Sequence, residues 1–196
     1  MTTQAAAATT VLAVGTYAIL GKVAVLTCLA TGGYLRFRRG IGGNGADQLT
    51  FMVLVTFALV LLAGAGPMTQ RAGDVFIAAQ LCLAYFASGF AKLVSPVWRS
   101  GQAIVGILAT EGFGMPSVAA RLATLRWLAW LMCWTVILWE CTFPVVLIAP
   151  PPVTLALLAF GVVFHGGCAI AMGLNRFAWA FCGCYSAVLV VTTTNL

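Results

Sequence analysis

The chain has 196 residues, of which 62% are hydrophobic and only 7% are charged, and its mean hydropathy is +1.06. Soluble domains carry roughly 25% charged residues, so this chain has too little polar surface to cover a water-facing globule. The composition therefore predicts an integral membrane protein. The length allows a single membrane domain over residues 1–196 and excludes a separate soluble domain of useful size.

Six apolar stretches are long enough to cross about 30 Å of hydrocarbon, which takes roughly 20 helical residues. In chain order they cover residues 9–34, 48–66, 74–94, 125–149, 153–174 and 177–193. Helices are expected because each backbone N–H must be satisfied within its own segment, and because no alternating ten-residue strands occur. The predicted fold is all-α, a polytopic membrane bundle of about six transmembrane helices.

Two short breaks punctuate the second half of the chain. "APPPV" at 149–153 separates the fourth and fifth spans, because proline lacks the donor that a continuing helix needs. "GLNRF" at 173–177 is an equally short link. At the other end, "MTTQAAAATT" lacks the basic residues of a signal peptide, so the first apolar stretch is expected to remain as a helix.

The net charge of +6 comes from basic residues dispersed at the ends of the spans, which favours loop charges over a nucleic-acid surface. The links after the second and fourth spans hold only Arg71. The links after the first, third and fifth spans hold Arg36, Arg38, Arg39, Arg99, Arg121, Arg126 and Arg176. By the positive-inside rule, the arginine-rich links after the first, third and fifth spans are cytoplasmic, and both termini are outside.

Seven cysteines lie in or beside the predicted helices, and an odd count without a CxxC pattern argues against a disulfide scaffold. "CGC" at 182–184 places its thiols about 200° apart on a helix, which suits neither a disulfide nor a shared metal. His165 and Cys168 are a possible pair of metal ligands, but two ligands do not make a site. No metal is expected.

Four ionisable residues lie inside the apolar spans: Lys22, Lys92, Glu140 and His165. A charge at the bilayer centre costs at least about 2.5–3.5 kcal/mol on insertion scales, so such residues face a partner or a wet cavity. Glu140 and His165 are near the middle of two helices joined by a short link, so similar depths are expected. We expect both to face the interior, with Lys22 or Lys92 within reach of Glu140.

Besides a role in gating or partner binding, two interpretations of these charges remain open. In the structural one, Lys22 and Glu140 neutralise each other, and Lys92 extends towards the lipid headgroups. In the functional one, a partly dehydrated Lys92 acts as a base. The apolar face that would dehydrate it consists of Cys82, Tyr85, Phe86 and Gly89.

The segment "YFASGFAKLVSPVWRSGQAI" at 85–104 resembles the Y-F-x-x-G-x-x-K-L element, followed by Trp and Gly, of the vitamin K-dependent gamma-carboxylase superfamily. Its bacterial members are called horizontally-transferred-transmembrane-domain proteins. "ECTFPVV" and "FHGGCAIAMGLNRFAWAF" resemble later motifs of that superfamily. The second is most similar to the short sporulation-delaying-protein B type, which matures secreted toxin peptides. The resemblance covers about residues 75–190. DoxX-like membrane proteins share a G-x-x-K-L-x-x-P element and are a rival resemblance.

The carboxylase-like resemblance implies that Lys92 is the base that deprotonates a reduced, vitamin K-like quinone. His165 and Glu140 are the further catalytic candidates. Carboxylation itself is not implied, because this chain has no room for the large soluble domain of the animal enzyme and has Ala91 where that enzyme has a second lysine. The expected activity is a quinone-linked oxygenation or modification of a small peptide or lipid.

Around the amine, Gly89 is expected to leave space for a flat ring, which Tyr85 and Trp98 would close. The predicted substrate-binding set is Tyr85, Phe86, Gly89, Trp98 and Gly101. Expected partners are membrane lipid and a small peptide substrate or soluble partner protein, without nucleic acid, in the bacterial cytoplasmic membrane. Two alternatives remain: a non-catalytic assembly or maturation factor, and a DoxX-like subunit of a redox or thiol-oxidising system.

Overall fold

The computed structural model describes residues 19–39, 44–112 and 114–193, and every regular element in these ranges is helical. In chain order the helices are α1 (Ile19–Arg39), α2 (Gly45–Leu62), α3 (Pro67–Val94), α4 (Pro96–Arg99), α5 (Gln102–Leu108), α6 (Pro116–Thr124), α7 (Arg126–Thr142), α8 (Pro151–Met172) and α9 (Asn175–Thr193). Six spans in these ranges are long and apolar enough to cross a membrane: α1, α2, α3, α8, α9 and Arg126–Leu147, which is α7 with the 3₁₀ segment that follows it. The predicted all-α polytopic membrane fold is confirmed.

The boundaries of the early helices differ from the predicted spans. Residues 9–18 of the first predicted span lie outside the described part of the chain, and α1 continues past residue 34 to Arg39. Helix α3 starts at Pro67, seven residues before the predicted start at 74. Proline suits this position because the first turn of a helix has no intrahelical partner for its N–H groups. The polar residues after Pro67 therefore belong to the helix and not to a loop.

The two predicted breaks are present: residues 148–150 separate the fourth span from α8, which starts at Pro151, and Gly173 and Leu174 separate α8 from α9. The α-helical part of the fourth span ends at Thr142, and a 3₁₀ segment continues over Phe143–Leu147. Pro144 cannot donate the N–H that another α-helical turn would use, so the chain tightens there. Between α8 and α9, Gly173 has a φ of +66°, and this left-handed residue ends α8.

The described chain divides into two compact units, one ending at Ala78 and the other starting at Ala79, and α3 contributes to both. In the first unit, α1 packs against α2, with Ala24 and Cys28 against Leu54. On the α3 side of this unit, a Cβ added at Gly73 would lie 2.8 Å from a methyl group of Val60. The glycine therefore permits close packing of α3 against α2.

In the second unit, α8 and α9 form a helical hairpin, and α5, α6 and α7 enclose a small apolar cluster. Gly101 starts α5 with a φ of +82°, and a Cβ at this position would lie 2.7 Å from Cα of Trp130. Both the left-handed conformation and the close approach to α7 therefore require glycine. Trp134 adds a link by donating from its indole N–H to the Arg99 carbonyl, at 3.2 Å.

Candidate functional site

Lys92 and Glu140 form an ion pair within the second unit. Lys92 lies in the last turn of α3, and its Nζ is 2.6 Å from Oε2 of Glu140 on α7. The ammonium also donates to the hydroxyl of Ser88, one turn earlier on α3. The side chains are 17% and 6% exposed, respectively. The expectation that a lysine lies within reach of Glu140 is confirmed for Lys92, and the pair meets the requirement that intramembrane charges have a partner.

Gly89 makes this pairing possible. A Cβ at Gly89 would lie 2.7 Å from the backbone nitrogen of Cys141 and 2.8 Å from Cβ of Glu140. The backbones of α3 and α7 therefore approach each other closely at the level of the ion pair. The expected open space for a flat ring beside Gly89 is not found, because α7 occupies it.

The indole of Trp98 covers another side of the Lys92 amine. Nζ lies 5.1 Å from the centre of the Trp98 ring, within the distance of a cation–π interaction. The structure therefore brings Trp98, on α4, to Lys92, whereas Gly101 lies after α4 as the N-cap of α5. Phe86 lies apart from this group: its side chain is 45% exposed and stacks on Phe90 of the same helix.

A second polar group lies deeper in the same unit. The hydroxyl of Tyr85 on α3 is 2.7 Å from Nε2 of His165 on α8 and 2.7 Å from the hydroxyl of Tyr185 on α9. All three side chains are buried, with exposures of 5% or less. Tyr85 also packs against the rings of Trp139, Phe143 and Phe181. Its hydroxyl is thus engaged with His165 and Tyr185.

A glycine also makes room for this group. An added Cβ at Gly161 of α8 would overlap the hydroxyl oxygen of Tyr185 and would lie 2.9 Å from the Trp139 ring. The indole N–H of Trp139 donates to the Leu157 carbonyl of α8, at 3.2 Å. The bare backbone at Gly161 therefore lets a phenol and an indole pack against α8 together.

His165 faces the interior, as expected, and its ring stacks on Phe181 with a centroid separation of 4.8 Å. Its Nε2 contacts Tyr85, whereas its Nδ1 has no hydrogen-bond partner among the described residues. The two polar groups are neighbours, because Tyr85 packs against Trp139, the residue that precedes Glu140 in α7. His165, Tyr85 and Glu140 thus belong to one buried region.

Tyr185 is the member of this region that the sequence analysis missed. It sits in "CGCYSAV", which carries no motif and reads as an ordinary apolar helix. The available signal was the residue type, since a tyrosine in the middle of a membrane span has a hydroxyl that needs a partner. That signal names no partner, and the partner lies 100 residues earlier in the chain.

The cysteines do not build a further centre. All seven lie in the described ranges, and none of them forms a disulfide. In the described ranges, no three His, Cys, Asp or Glu side chains are arranged so that they could hold a metal ion. The thiol of Cys184 donates to the Ala180 carbonyl of its own helix, at 3.1 Å. This cysteine is therefore satisfied locally, as is usual for small side chains packed inside a bundle.

An apolar cavity of about 510 Å³ lies in the first unit, between α2 and the first half of α3. Phe51 and Leu59 of α2 and Phe76 of α3 are among its walls, and polar atoms contribute almost nothing to its lining. Such a lining suits a hydrocarbon chain and offers no anchor for a charged ligand.

Comparisons of the chain with family models, with curated proteins and with solved structures give no match.

Proposed function

We propose that this integral membrane protein is an enzyme of the bacterial cytoplasmic membrane in which the Lys92–Glu140 pair takes a proton from a reduced, vitamin K-like quinone. The observation that supports the proposal is the pair itself. An amine and a carboxylate lie 2.6 Å apart within membrane-spanning helices, and the amine is the more exposed partner. Ionisable groups in such positions are functional candidates by default.

The short contact gives the amine a route to its reactive form. The pair holds one proton, which resides on Lys92 as ammonium or passes to Glu140 to leave a neutral amine beside a neutral carboxylic acid. The neutral amine then accepts the proton of a quinol O–H. The products are the Lys92 ammonium and a quinolate anion, with the first proton still on Glu140, so that total charge is conserved. The new ammonium stabilises the new anion.

Two neighbours of Lys92 support this role. The Trp98 ring, 5.1 Å from Nζ, offers an aromatic face against which a flat quinol ring can pack. The Ser88 hydroxyl accepts a hydrogen bond from the ammonium and so holds the side chain in place while the proton moves. The resemblance to the carboxylase superfamily implies that the deprotonated quinol is used to modify a small secreted peptide.

Lys92→Arg is the variant that tests the proposal. A guanidinium remains protonated in proteins, so it can keep the charge pair with Glu140 but cannot accept a proton. Purified protein in lipid nanodiscs would be given a reduced naphthoquinone in air-saturated buffer, where dissolved O2 oxidises the quinolate that the pair produces, and quinol consumption would be followed by absorbance. We expect the rate of Lys92→Arg to fall by about 10²-fold or more, the size of a general-base contribution.

Lys22→Arg is the matched control, because Lys22 is an exposed lysine of α1 and the exchange is the same. We expect it to retain the wild-type rate. Thermal unfolding of both variants would verify that the fold is intact. If Lys92→Arg retains the full rate, or if the wild-type protein consumes no quinol, the pair only balances charge inside the bundle and the proposed function is wrong.

A further inference from the structure

The Tyr185–Tyr85–His165 hydrogen bonds have a direction that can be worked out by counting hydrogens. Each phenol has one hydrogen to donate, and a neutral imidazole carries one hydrogen on either Nε2 or Nδ1. The Tyr85 hydroxyl lies 2.7 Å from both Nε2 of His165 and the hydroxyl of Tyr185, so it either donates to one and accepts from the other or accepts from both. Three arrangements follow, and the imidazole hydrogen is on Nδ1 in one of them and on Nε2 in the other two.

In the first arrangement, Tyr185 donates to Tyr85, Tyr85 donates to Nε2 of His165, and the imidazole hydrogen is on Nδ1. In the second, Nε2–H donates to Tyr85 and Tyr85 donates to Tyr185. The Tyr185 hydrogen is then left without an acceptor among the described residues, and Nδ1 is left as an unused acceptor. In the third, Tyr85 accepts from both Nε2–H and Tyr185, so its own hydrogen lacks an acceptor among the described residues and Nδ1 is again unused. The first arrangement leaves a single unmet group, the Nδ1–H. It is favoured because each unpaired buried hydrogen is unfavourable.

We propose that His165 is a hydrogen-bond donor, through Nδ1–H, to an oxygen of a buried ligand, and that Tyr85 and Tyr185 are the positioning residues that keep the hydrogen on Nδ1. Naming the ligand as a quinone or quinol rests on the proposed function. The side chain is 4% exposed, and its Nδ1 is the buried side-chain nitrogen or oxygen that lacks a partner in the described part of the chain.

The surroundings of the ring select the class of ligand. His165 stacks on Phe181 and meets the edges of Phe164 and Trp139, with centroid separations of 4.8, 5.1 and 6.4 Å, respectively. Within the described residues, His165 takes part in no ion pair. A flat, uncharged ring that directs one carbonyl or hydroxyl oxygen at the donor matches a single donor among aromatic faces. Quinones and quinols have this chemistry.

The test uses the fact that His165 is the single histidine of the chain. Protein in nanodiscs that carries histidine labelled with ¹⁵N in the ring gives nitrogen signals from this imidazole only, and their chemical shifts identify the protonated nitrogen. We expect Nδ1 protonated and Nε2 bare in the wild-type protein. Addition of 2-methyl-1,4-naphthoquinone should shift the Nδ1 signal most. An Nε2–H tautomer, or a spectrum unchanged by the quinone, would overturn the inference.

Tyr85→Phe removes the group that donates to Nε2, so we expect the fixed tautomer to be lost and the response to quinone to weaken. Tyr185→Phe leaves Tyr85 free to donate or accept, and a mixture of the two tautomers is expected. Tyr34→Phe, on an exposed part of α1, is the control and should keep the wild-type spectrum. A wild-type tautomer in Tyr85→Phe would overturn the positioning role.

This readout is independent of turnover. If the Nδ1 signal responds to quinone as expected but Lys92→Arg consumes quinol at the wild-type rate, the donor site stands and the proposed function fails. If Lys92→Arg is inactive but the Nδ1 signal ignores quinone, the reverse holds.

Discussion

Lys92 of α3 and Glu140 of α7 meet at 2.6 Å although 48 residues separate them in the chain. Each is the group that offsets the cost of placing the other among apolar helices. Buried pairs of this kind are more sensitive to the loss of one partner than to the loss of both, because a single loss leaves an uncompensated charge. This asymmetry leads to the first prediction.

Glu140→Gln should lower the free energy of unfolding by about 3 kcal/mol, because the Lys92 ammonium loses its counter-charge inside the bundle. The double variant Lys92→Met, Glu140→Gln should regain most of this loss, since neither charge then remains. Thermal unfolding in detergent micelles would measure both. If the double variant is as unstable as the sum of the two single variants, the residues do not act as a pair.

Gly89→Ala should destabilise the protein by about 1–3 kcal/mol, the usual cost of inserting an extra carbon into a packed contact. The added Cβ would meet backbone atoms of α7, which cannot move as a flexible side chain would. We also expect quinol consumption to fall, because the helices that carry Lys92 and Glu140 are pushed apart. Gly183→Ala in α9 is the control: nothing lies within 4 Å of a Cβ there, so stability should be unchanged or slightly raised.

Gly161→Ala should break the hydrogen bond between Tyr185 and Tyr85, because the new methyl group would overlap the Tyr185 hydroxyl. The expected loss of stability is again about 1–3 kcal/mol. Combination with Tyr185→Phe removes the clashing oxygen and should recover part of that loss. Strictly additive effects of the two substitutions on the unfolding temperature would contradict this contact.

Trp98→Leu should remove the cation–π interaction with the Lys92 amine, which contributes about 0.5–2 kcal/mol. We expect a higher KM for the reduced quinone with a smaller change in kcat, because the Trp98 indole binds the quinol ring and takes no part in proton transfer. Trp179→Leu is the matched exchange on a side chain that is 82% exposed, and it should leave both constants unchanged. Equal effects of the two exchanges would rule out a specific role for Trp98.

The arginine distribution predicts which loops face the cytoplasm. A cysteine in place of Met68, at the start of α3, should react with a membrane-impermeant maleimide added to intact cells. A cysteine in place of Ser117, in α6, should react only after the cells are permeabilised. The wild-type chain gives the background from its own cysteines. Labelling of the Ser117 position from outside would reverse the predicted orientation.

Much of the fold could be predicted from local sequence patterns. The lengths of the apolar runs predicted six membrane helices, and prolines and Gly173 marked the two breaks in the second half, because both residue types act on the backbone where they stand. The three short helices between Ser95 and Thr124 were not predicted. That stretch mixes glycine, polar and apolar residues, so no single period identifies its helices.

The site was predictable where the cost of charge in hydrocarbon demands a partner, as it does for Lys92 and Glu140. The site was not predictable where a residue is needed for packing between helices. Gly89 was expected to border a ligand, but its lack of a side chain serves contact with α7. A glycine that admits a ligand and one that admits another helix are indistinguishable in sequence. The structure distinguishes the two roles by what lies next to the glycine, which for Gly89 is the backbone of α7.

The sequence separations within the polar groups have a consequence for biogenesis. Helix α3 emerges from the ribosome with Tyr85 and Lys92, but the partners Glu140, His165 and Tyr185 follow 48, 80 and 100 residues later. At the translation rate of about 5–20 residues per second, α3 remains without them for several seconds. During that interval it must be sheltered by the insertion machinery or stay near the aqueous channel. Nascent chains arrested before Tyr185 should therefore remain crosslinkable to the translocon through α3, and chains released after α9 should not.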